Sequence, residues 1–422
     1  MSATPVLPLS AAVETISHCR SCGSAALSPV VSLGETPLAN ALLTAEALAR
    51  PEPRFPLSLS FCADCSLVQI VETVPPEVLF SDYPYFSSFS DTMVRSAGAL
   101  ARRLIESRGL GADALVLEVA SNDGYLLRHY LDAGVPVLGV EPAANVAAAA
   151  LAKGVPTRSV FFGRETAAAL AAEGITADVI HANNVLAHVP DLNGVVGGMA
   201  LALKPGGLVV IEAPYLRDMI EKVEFDTIYH EHLCYFSASA LKPLFARHGL
   251  TLVDVERLAI HGGSLRLFFA KTAAGATPSA AVDARLAEEA ALGMLARDYY
   301  DDFARRIERL RGALTSLLRD LKDGGARLAA YGASAKGSTL LNVFGVGADL
   351  LDFVADRSTV KQGRYTPGSH LPIVAPEELL VRRPDYVLLL SWNFAEEILA
   401  QQAAYRAAGG RFIIPVPEPK IV

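Results

Sequence analysis

From residue 113 onward, short apolar runs alternate with stretches whose apolar positions recur at helical spacing. Residues 114–119 predict a buried strand, followed by the loop Ala120-Ser121-Asn122-Asp123-Gly124 and a helix from Tyr125. Further strands are expected at 137–140, ending on Glu141-Pro142, near 157–160, at 177–182 leading into Asn183-Asn184, and at 208–212. Such alternation builds a parallel, doubly wound α/β sheet whose ligands lie at the carboxyl ends of the strands. Upstream, Met93, Leu100 and Leu104 mark one face of a helix over 91–108. Downstream, Leu292, Leu295, Tyr299, Phe303, Ile307, Leu310, Leu314 and Leu317 predict one long helical face that ends at Gly324-Gly325. A second, smaller alternating unit then begins. It has a strand over 327–331, a glycine loop from Gly332 to Thr339 opening a helix, and strands at 351–354, 386–390 and 412–414. The stretch up to residue 80 is Pro-rich with little helical periodicity and reads as a module of strands and turns. The expected division is 1–80, 81–280 and 281–422.

At 422 residues the chain exceeds one typical domain, and 51% hydrophobic with 19% charged residues describes a globular protein with ample core. A net charge of −8 argues against a nucleic-acid partner, whose phosphates need a basic face. No apolar run has the length of a membrane span, and the N-terminus does not resemble an export signal, so a cytoplasmic location and no membrane partner are expected.

Four of the five cysteines form two pairs, Cys19/Cys22 and Cys62/Cys65. Two Cys-x-x-Cys pairs supply a closed tetrahedral site for structural Zn2+, whereas a redox motif needs only one pair. Such a site contributes about 10–16 kcal/mol of apparent binding energy to folding. It leaves no open position for substrate. Cys234 stands alone in an apolar setting and is expected to be a packed side chain.

The loop after the first central strand lacks the Gly-x-Gly-x-x-Gly pattern that lets backbone approach a pyrophosphate. With Glu118 and Asp123 it repels phosphate and suits a ligand with an ammonium group, such as S-adenosylmethionine. Glu141 is placed to accept from ribose hydroxyls, although a strand-terminal acid also caps helices. Tyr229-His230-Glu231-His232 is the densest run of proton-handling side chains. The alternative for it is a polar strand edge with surface histidines. If the run is extended, His230 and His232 share a face and a metal site must be considered. His188, after the fourth strand, is either a second candidate base or a histidine satisfied by loop backbone. His261-Gly262-Gly263-Ser264-Leu265-Arg266 is either a ligand-binding loop or a glycine-bearing turn between strands. The Gly332–Thr339 loop with Lys336 reads as a diphosphate cradle, and Gly363, Arg364, Pro367 and Gly368 form a loop that could close over the same nucleotide.

The segments E-V-A-S-N-D-G-Y, N-N-V-L-A-H, Y-H-E-H-L-C-Y-F-S and Y-G-A-S-A-K-G-S-T-L-L-N, with the four-cysteine module, resemble the nucleotide-sugar C-methyltransferases of deoxysugar biosynthesis. The resemblance spans nearly the whole chain. It implies a class I methyltransferase-type doubly wound sheet with a small N-terminal four-cysteine zinc module and a C-terminal Rossmann-like α/β domain. It further implies that S-adenosylmethionine methylates a ring carbon, usually C3, of a thymidine-diphospho 4-keto sugar. On that basis His232 is the base, Glu231 and Tyr229 share its site, and Tyr83 reaches it from the N-terminal side, with His188 as the rival base. Cofactor contacts fall on Glu118, Ala120, Ser121, Asn122, Asp123, Gly124, Tyr125, Glu141, Pro142 and Asn183. Substrate contacts fall on Asn184, His261, Ser264, Arg266, Tyr331, Ser334, Lys336, Gly337 and Arg364. A chain carrying its own three-part clasp is expected to work as a monomer. The competing readings are an NAD-dependent sugar dehydrogenase, disfavoured by the missing glycine pattern, and a non-catalytic zinc-containing binding protein. The sugar, the nucleotide base and C3 against C5 stay open.

Overall fold

The computed structural model describes residues 13–80 and 86–422, and Tyr83 lies outside them. Its central sheet has seven strands in the order Leu250–Leu258, Ser264–Lys271, Leu203–Pro214, Ala177–Asn183, Val116–Val119, Val137–Val140, Thr157–Arg158. The last five run parallel, and the first two form an antiparallel hairpin on one edge. Val116–Val119 is buried at every position, as a strand covered on both faces must be. The carboxyl ends of Val116–Val119, Val137–Val140 and Ala177–Asn183 bring Ala120, Glu141 and Asn184 to one edge of the sheet, where the order of strands reverses.

The helix Asp91–Arg108 forms because local signals and packing agree. Ser90 Oγ accepts from the Met93 amide at its start, and Gly109 closes its end in the left-handed conformation. Met93, Leu100 and Leu104 are buried along one face, each large side chain stabilising by about 1.5–3 kcal/mol. The expected long helical face over 292–317 is instead broken. One helix covers Ala280–Ala291, Gly293 turns the chain with φ +82°, a 3-10 turn covers Arg297–Tyr300, and a second helix covers Phe303–Asp323. Leu292 and Leu295 are exposed in the break. The third strand stops at Arg158, leaving Val160 at the surface. The strand expected at 351–354 lies at Val354–Ala355.

Two larger sheets flank the centre, beside a two-stranded one that pairs Glu14–Thr15 with Glu72–Thr73. The N-terminal one orders Cys234–Tyr235, Val68–Ile70, Phe55–Cys62 and Leu27–Thr36, all antiparallel. Its edge strand therefore comes from the segment just after His232. The C-terminal sheet has six strands, five of them parallel with Leu328–Tyr331 and Tyr386–Leu389 at its middle. No described helix is long and apolar enough to cross a membrane.

Candidate active site

A cavity of about 680 Å3 opens between the carboxyl edge of the central sheet, the C-terminal domain and a loop of the N-terminal module. At its first end lie Ala120, Asn122, Tyr125, Glu141, Pro142 and Asn183. The loop is held by backbone geometry: Ala120 and Asn122 both have φ +50°. Glu141 fixes it from below, accepting from the Asn122 amide at 2.9 Å and the Ala143 amide at 2.8 Å. Burial pushes the Glu141 carboxyl up, against those two amides. Asn183 Oδ1 is buried with no hydrogen-bond partner among the described residues, an acceptor suited to an ammonium donor. These residues fit S-adenosylmethionine.

Other expected cofactor contacts lie behind this surface. The Asp123 carboxylate is engaged by Lys153 at 2.6 Å and by Ser88. Glu118 is fully buried, and desolvation together with Glu141 and Asp123 drives its pKa well up. Neither lines the cavity, so the expected acidic wall is reduced to Glu141. Ser121 is buried against Gly139. Gly124 has φ +78°, and a Cβ there would stand 2.7 Å from Val155 Cγ2. Its glycine serves packing.

Tyr229 and His232 line the middle of the cavity with His188. Residues 229–232 form a turn, closed by the His232 amide donating to the Tyr229 carbonyl at 2.8 Å. The histidines consequently diverge. His230 donates from Nε2 to the Pro56 carbonyl at 2.9 Å and is 1% exposed, so the shared-face metal site and the surface strand edge are both excluded. His232 Nδ1 lies 2.9 Å from the Thr227 carbonyl. A carbonyl only accepts, so Nδ1 carries the proton, and in the neutral ring Nε2 is the acceptor. The Tyr229 hydroxyl donates to it at 2.6 Å. His188 stacks edge-on to His232 with ring centroids 4.7 Å apart. Burial pushes His188 down to about 4, partly offset by its bond to the Glu231 backbone.

Asn40, from the N-terminal module, was not legible as a site residue. Its Nδ2 donates to both carboxylate oxygens of Glu231, at 2.8 and 2.9 Å, and it lines the cavity. Its loop is clamped from the C-terminal domain by paired backbone bonds between Leu43 and Tyr365, each 2.9 Å. The Gly363–Gly368 loop thus grips the N-terminal module, and Arg364 does not line the cavity, contrary to its expected place over a nucleotide.

The second end of the cavity is built by Tyr331, Ser334 and Lys336 with Asp356, Arg357 and Lys361. Ser334 caps the helix Ala335–Phe344 by accepting from the Gly337 amide at 3.1 Å, which places Gly337 in the cap and outside the lining. Asp356 accepts from the Ala333 and Ser358 amides at 2.7 Å each, and Lys361 donates to the Ala333 carbonyl at 2.7 Å. These last three cavity residues were missed, although Asp356 ends a strand of the second alternating unit just as Glu141 ends one of the first. Asn184, with φ +57°, also lines the cavity. The 261–266 segment runs from the turn between antiparallel strands into the second of them, which starts at Ser264. Ser264 donates to the Ile260 carbonyl, and Arg266 is consumed by Glu212 at 2.6 Å and Glu256 at 3.3 Å. Both are buried away from the cavity, and the side chain of His261 is outside the described atoms.

The four cysteines of the N-terminal module converge, with all four sulfurs within 4.8 Å of one another. Cys19–Cys65 and Cys22–Cys62 separations are 3.5 and 3.6 Å, near the roughly 3.8 Å edge of a tetrahedron with 2.3 Å Zn–S bonds. The residues fit structural zinc. Cys234, 1% exposed, is packed within the edge strand of the same sheet.

Three family models match in series: a zinc binding domain over residues 19–80, a methyltransferase domain over 93–255, and a C-methyltransferase C-terminal domain over 259–417. The C-methyltransferase NovU of Streptomyces niveus is 39% identical over 410 residues, covering 97% of this chain and 98% of that protein. An uncharacterized methyltransferase of Mycobacterium leprae is 36% identical over 97 residues, 23% of this chain and 36% of its own length. With an S-adenosylmethionine pocket at the sheet edge and four converging cysteines beside it, the chain belongs to the family of S-adenosylmethionine-dependent C-methyltransferases that carry an N-terminal zinc-binding module.

Proposed function

We propose that this enzyme methylates a ring carbon, C3, of a dTDP-linked 4-keto deoxysugar, with His232 as the base, working as a monomer. The observation that carries this reading is the placement of His232, its Nδ1–H held by Thr227 and its Nε2 turned to Tyr229 inside the shared cavity. A ketone acidifies the hydrogen on the adjacent carbon because the electron pair left behind delocalises onto oxygen. Nε2 takes that proton, and the bond's electron pair becomes the enolate. Tyr229, displaced from Nε2 by the entering sugar, turns its hydroxyl to the keto oxygen, where charge develops. S-adenosylmethionine supplies an electrophilic methyl, which the enolate carbon accepts as the sulfonium bond breaks. A positioned base contributes about 10²–10⁴ in rate. His188, held near a pKa of about 4 by burial, is a weak base and serves better as a neutral neighbour that orients His232.

The three-part division assigns zinc, cofactor and nucleotide to successive segments, with Tyr331, Ser334 and Lys336 supporting a diphosphate at the second end of the cavity. Family membership sets aside the dehydrogenase and binding-protein alternatives. The test is a screen of 4-keto nucleotide sugars with isotopically labelled methyl donor. A product one methyl heavier, labelled on C3, supports the reading; label on oxygen or nitrogen contradicts it.

A further inference from the structure

The C-terminal domain reaches the catalytic turn through a hydrogen bond between two buried side chains. Trp392 donates from Nε1 to Oδ2 of Asp226 at 2.6 Å, across 166 positions of sequence. Asp226 is fully buried, and its other oxygen has no hydrogen-bond partner among the described residues. Asp226 sits in the one-turn helix Phe225–Thr227, whose last carbonyl receives the Nδ1–H of His232. The same turn packs on the helix Ala335–Phe344, with Phe225 and Phe344 stacked at 4.5 Å. On the ring face of Trp392 sits the Lys336 ammonium, 4.8 Å from the centroid. Lys336 lines the cavity and makes no hydrogen bond or salt bridge with any described residue.

An uninterrupted line of contacts therefore runs from a cavity cation, through an indole and a buried acid, to the carbonyl that sets the tautomer of His232. We propose that Trp392 and Asp226 are positioning residues that tie the base to anion recognition in the C-terminal domain. An anionic group bound at Lys336 steadies the Trp392 ring, and Trp392 through Asp226 holds the Phe225–Thr227 turn. Thr227 then keeps Nε2 of His232 as the acceptor. The inference rests on the reading that His232 takes the proton, and the NMR part of its test needs no turnover, so the two fail separately.

The experiment uses the full-length zinc-loaded enzyme with 15N-labelled histidine. Titration with inorganic pyrophosphate is expected to shift and sharpen the His232 nitrogen signals while the Nδ1–H tautomer is kept, and Lys336→Ala to abolish that response. Trp392→Phe keeps the ring but loses the donor. It should lower kcat by about tenfold or more while the KM for methyl donor stays unchanged, with His232 signals averaged between tautomers. Asp226→Asn keeps an acceptor for the indole and should retain activity within about threefold of the native enzyme. S-adenosylhomocysteine binding by calorimetry checks that each variant is folded. If Trp392→Phe fails that check, the pyrophosphate titration of the native enzyme decides. No movement of the His232 signals with pyrophosphate overturns the proposal. So does native kcat in a folded Trp392→Phe, or a loss in Asp226→Asn as large as in Trp392→Phe.

Discussion

The phenolic oxygen of Tyr229 lies 2.6 Å from Nε2 of His232, whose opposite nitrogen is held by the Thr227 carbonyl. Two residues three apart in sequence thus form one unit because the chain turns between them. In an extended strand, positions 229 and 232 would face opposite sides.

Tyr229→Phe removes the donor without changing the ring's packing. The expected result is a fall in kcat of about 10–100-fold with little change in the KM for methyl donor. Steady-state kinetics with the sugar saturating would show it. Loss confined to KM would place Tyr229 in binding only.

Asn40 bridges the N-terminal module to Glu231 through both carboxylate oxygens. Asn40→Asp puts a second carboxylate against the first, where like charges repel. Turnover should fall by about 10²-fold while S-adenosylhomocysteine still binds, and Asn40→Gln should recover part of it. Calorimetry beside kinetics separates these outcomes.

Chelating the zinc or replacing Cys62 by Ser should abolish turnover although neither touches the cavity. The edge strand Cys234–Tyr235, directly after His232, is paired to the module through Gln69 and Val68. A module that loses about 10–16 kcal/mol of metal binding unfolds, and it takes Asn40 and that strand's partner with it. Activity that survives full zinc removal, measured by metal analysis, would contradict this coupling.

Burial pushes Glu224 from 4.5 to about 7 in the folded protein, with Asp226 adding to it and Lys336 opposing. A folded pKa raised above the unfolded one gives stability that is full below about pH 4.5 and is lost as pH rises through 7. Glu224→Gln removes that loss. The variant's melting temperature relative to the native enzyme should therefore be higher at pH 8 than at pH 5, by the equivalent of up to about 3 kcal/mol. Calorimetric melts across that range provide the check; an equal offset at both pH values would contradict it.

What the sequence revealed follows the reach of local signals. The helix over 91–108 and the two cysteine pairs are each written in a few adjacent residues, and each stands as read; Glu141 ends its strand as expected and holds the Asn122 and Ala143 amides. Partnership across domains is not written locally. Arg266 looked available until Glu212 and Glu256 were found beside it, and Asp123 until Lys153 was. Asn40 lies in a loop with no motif, and only the meeting of three domains gives it Glu231 as a partner. The turn at 229–232, which separates His230 from His232, is imposed by the module's sheet on one side and Thr227 on the other.

The proposed abstraction of the hydrogen beside the ketone by His232 can be tested without methyl transfer. The proposed 4-keto nucleotide sugar is incubated in D2O with enzyme and S-adenosylhomocysteine, and deuterium at C3 is followed by NMR. The native enzyme should exchange that hydrogen, and His232→Asn, still binding S-adenosylhomocysteine, should not. Exchange at the native rate in that variant would contradict the assignment of the base.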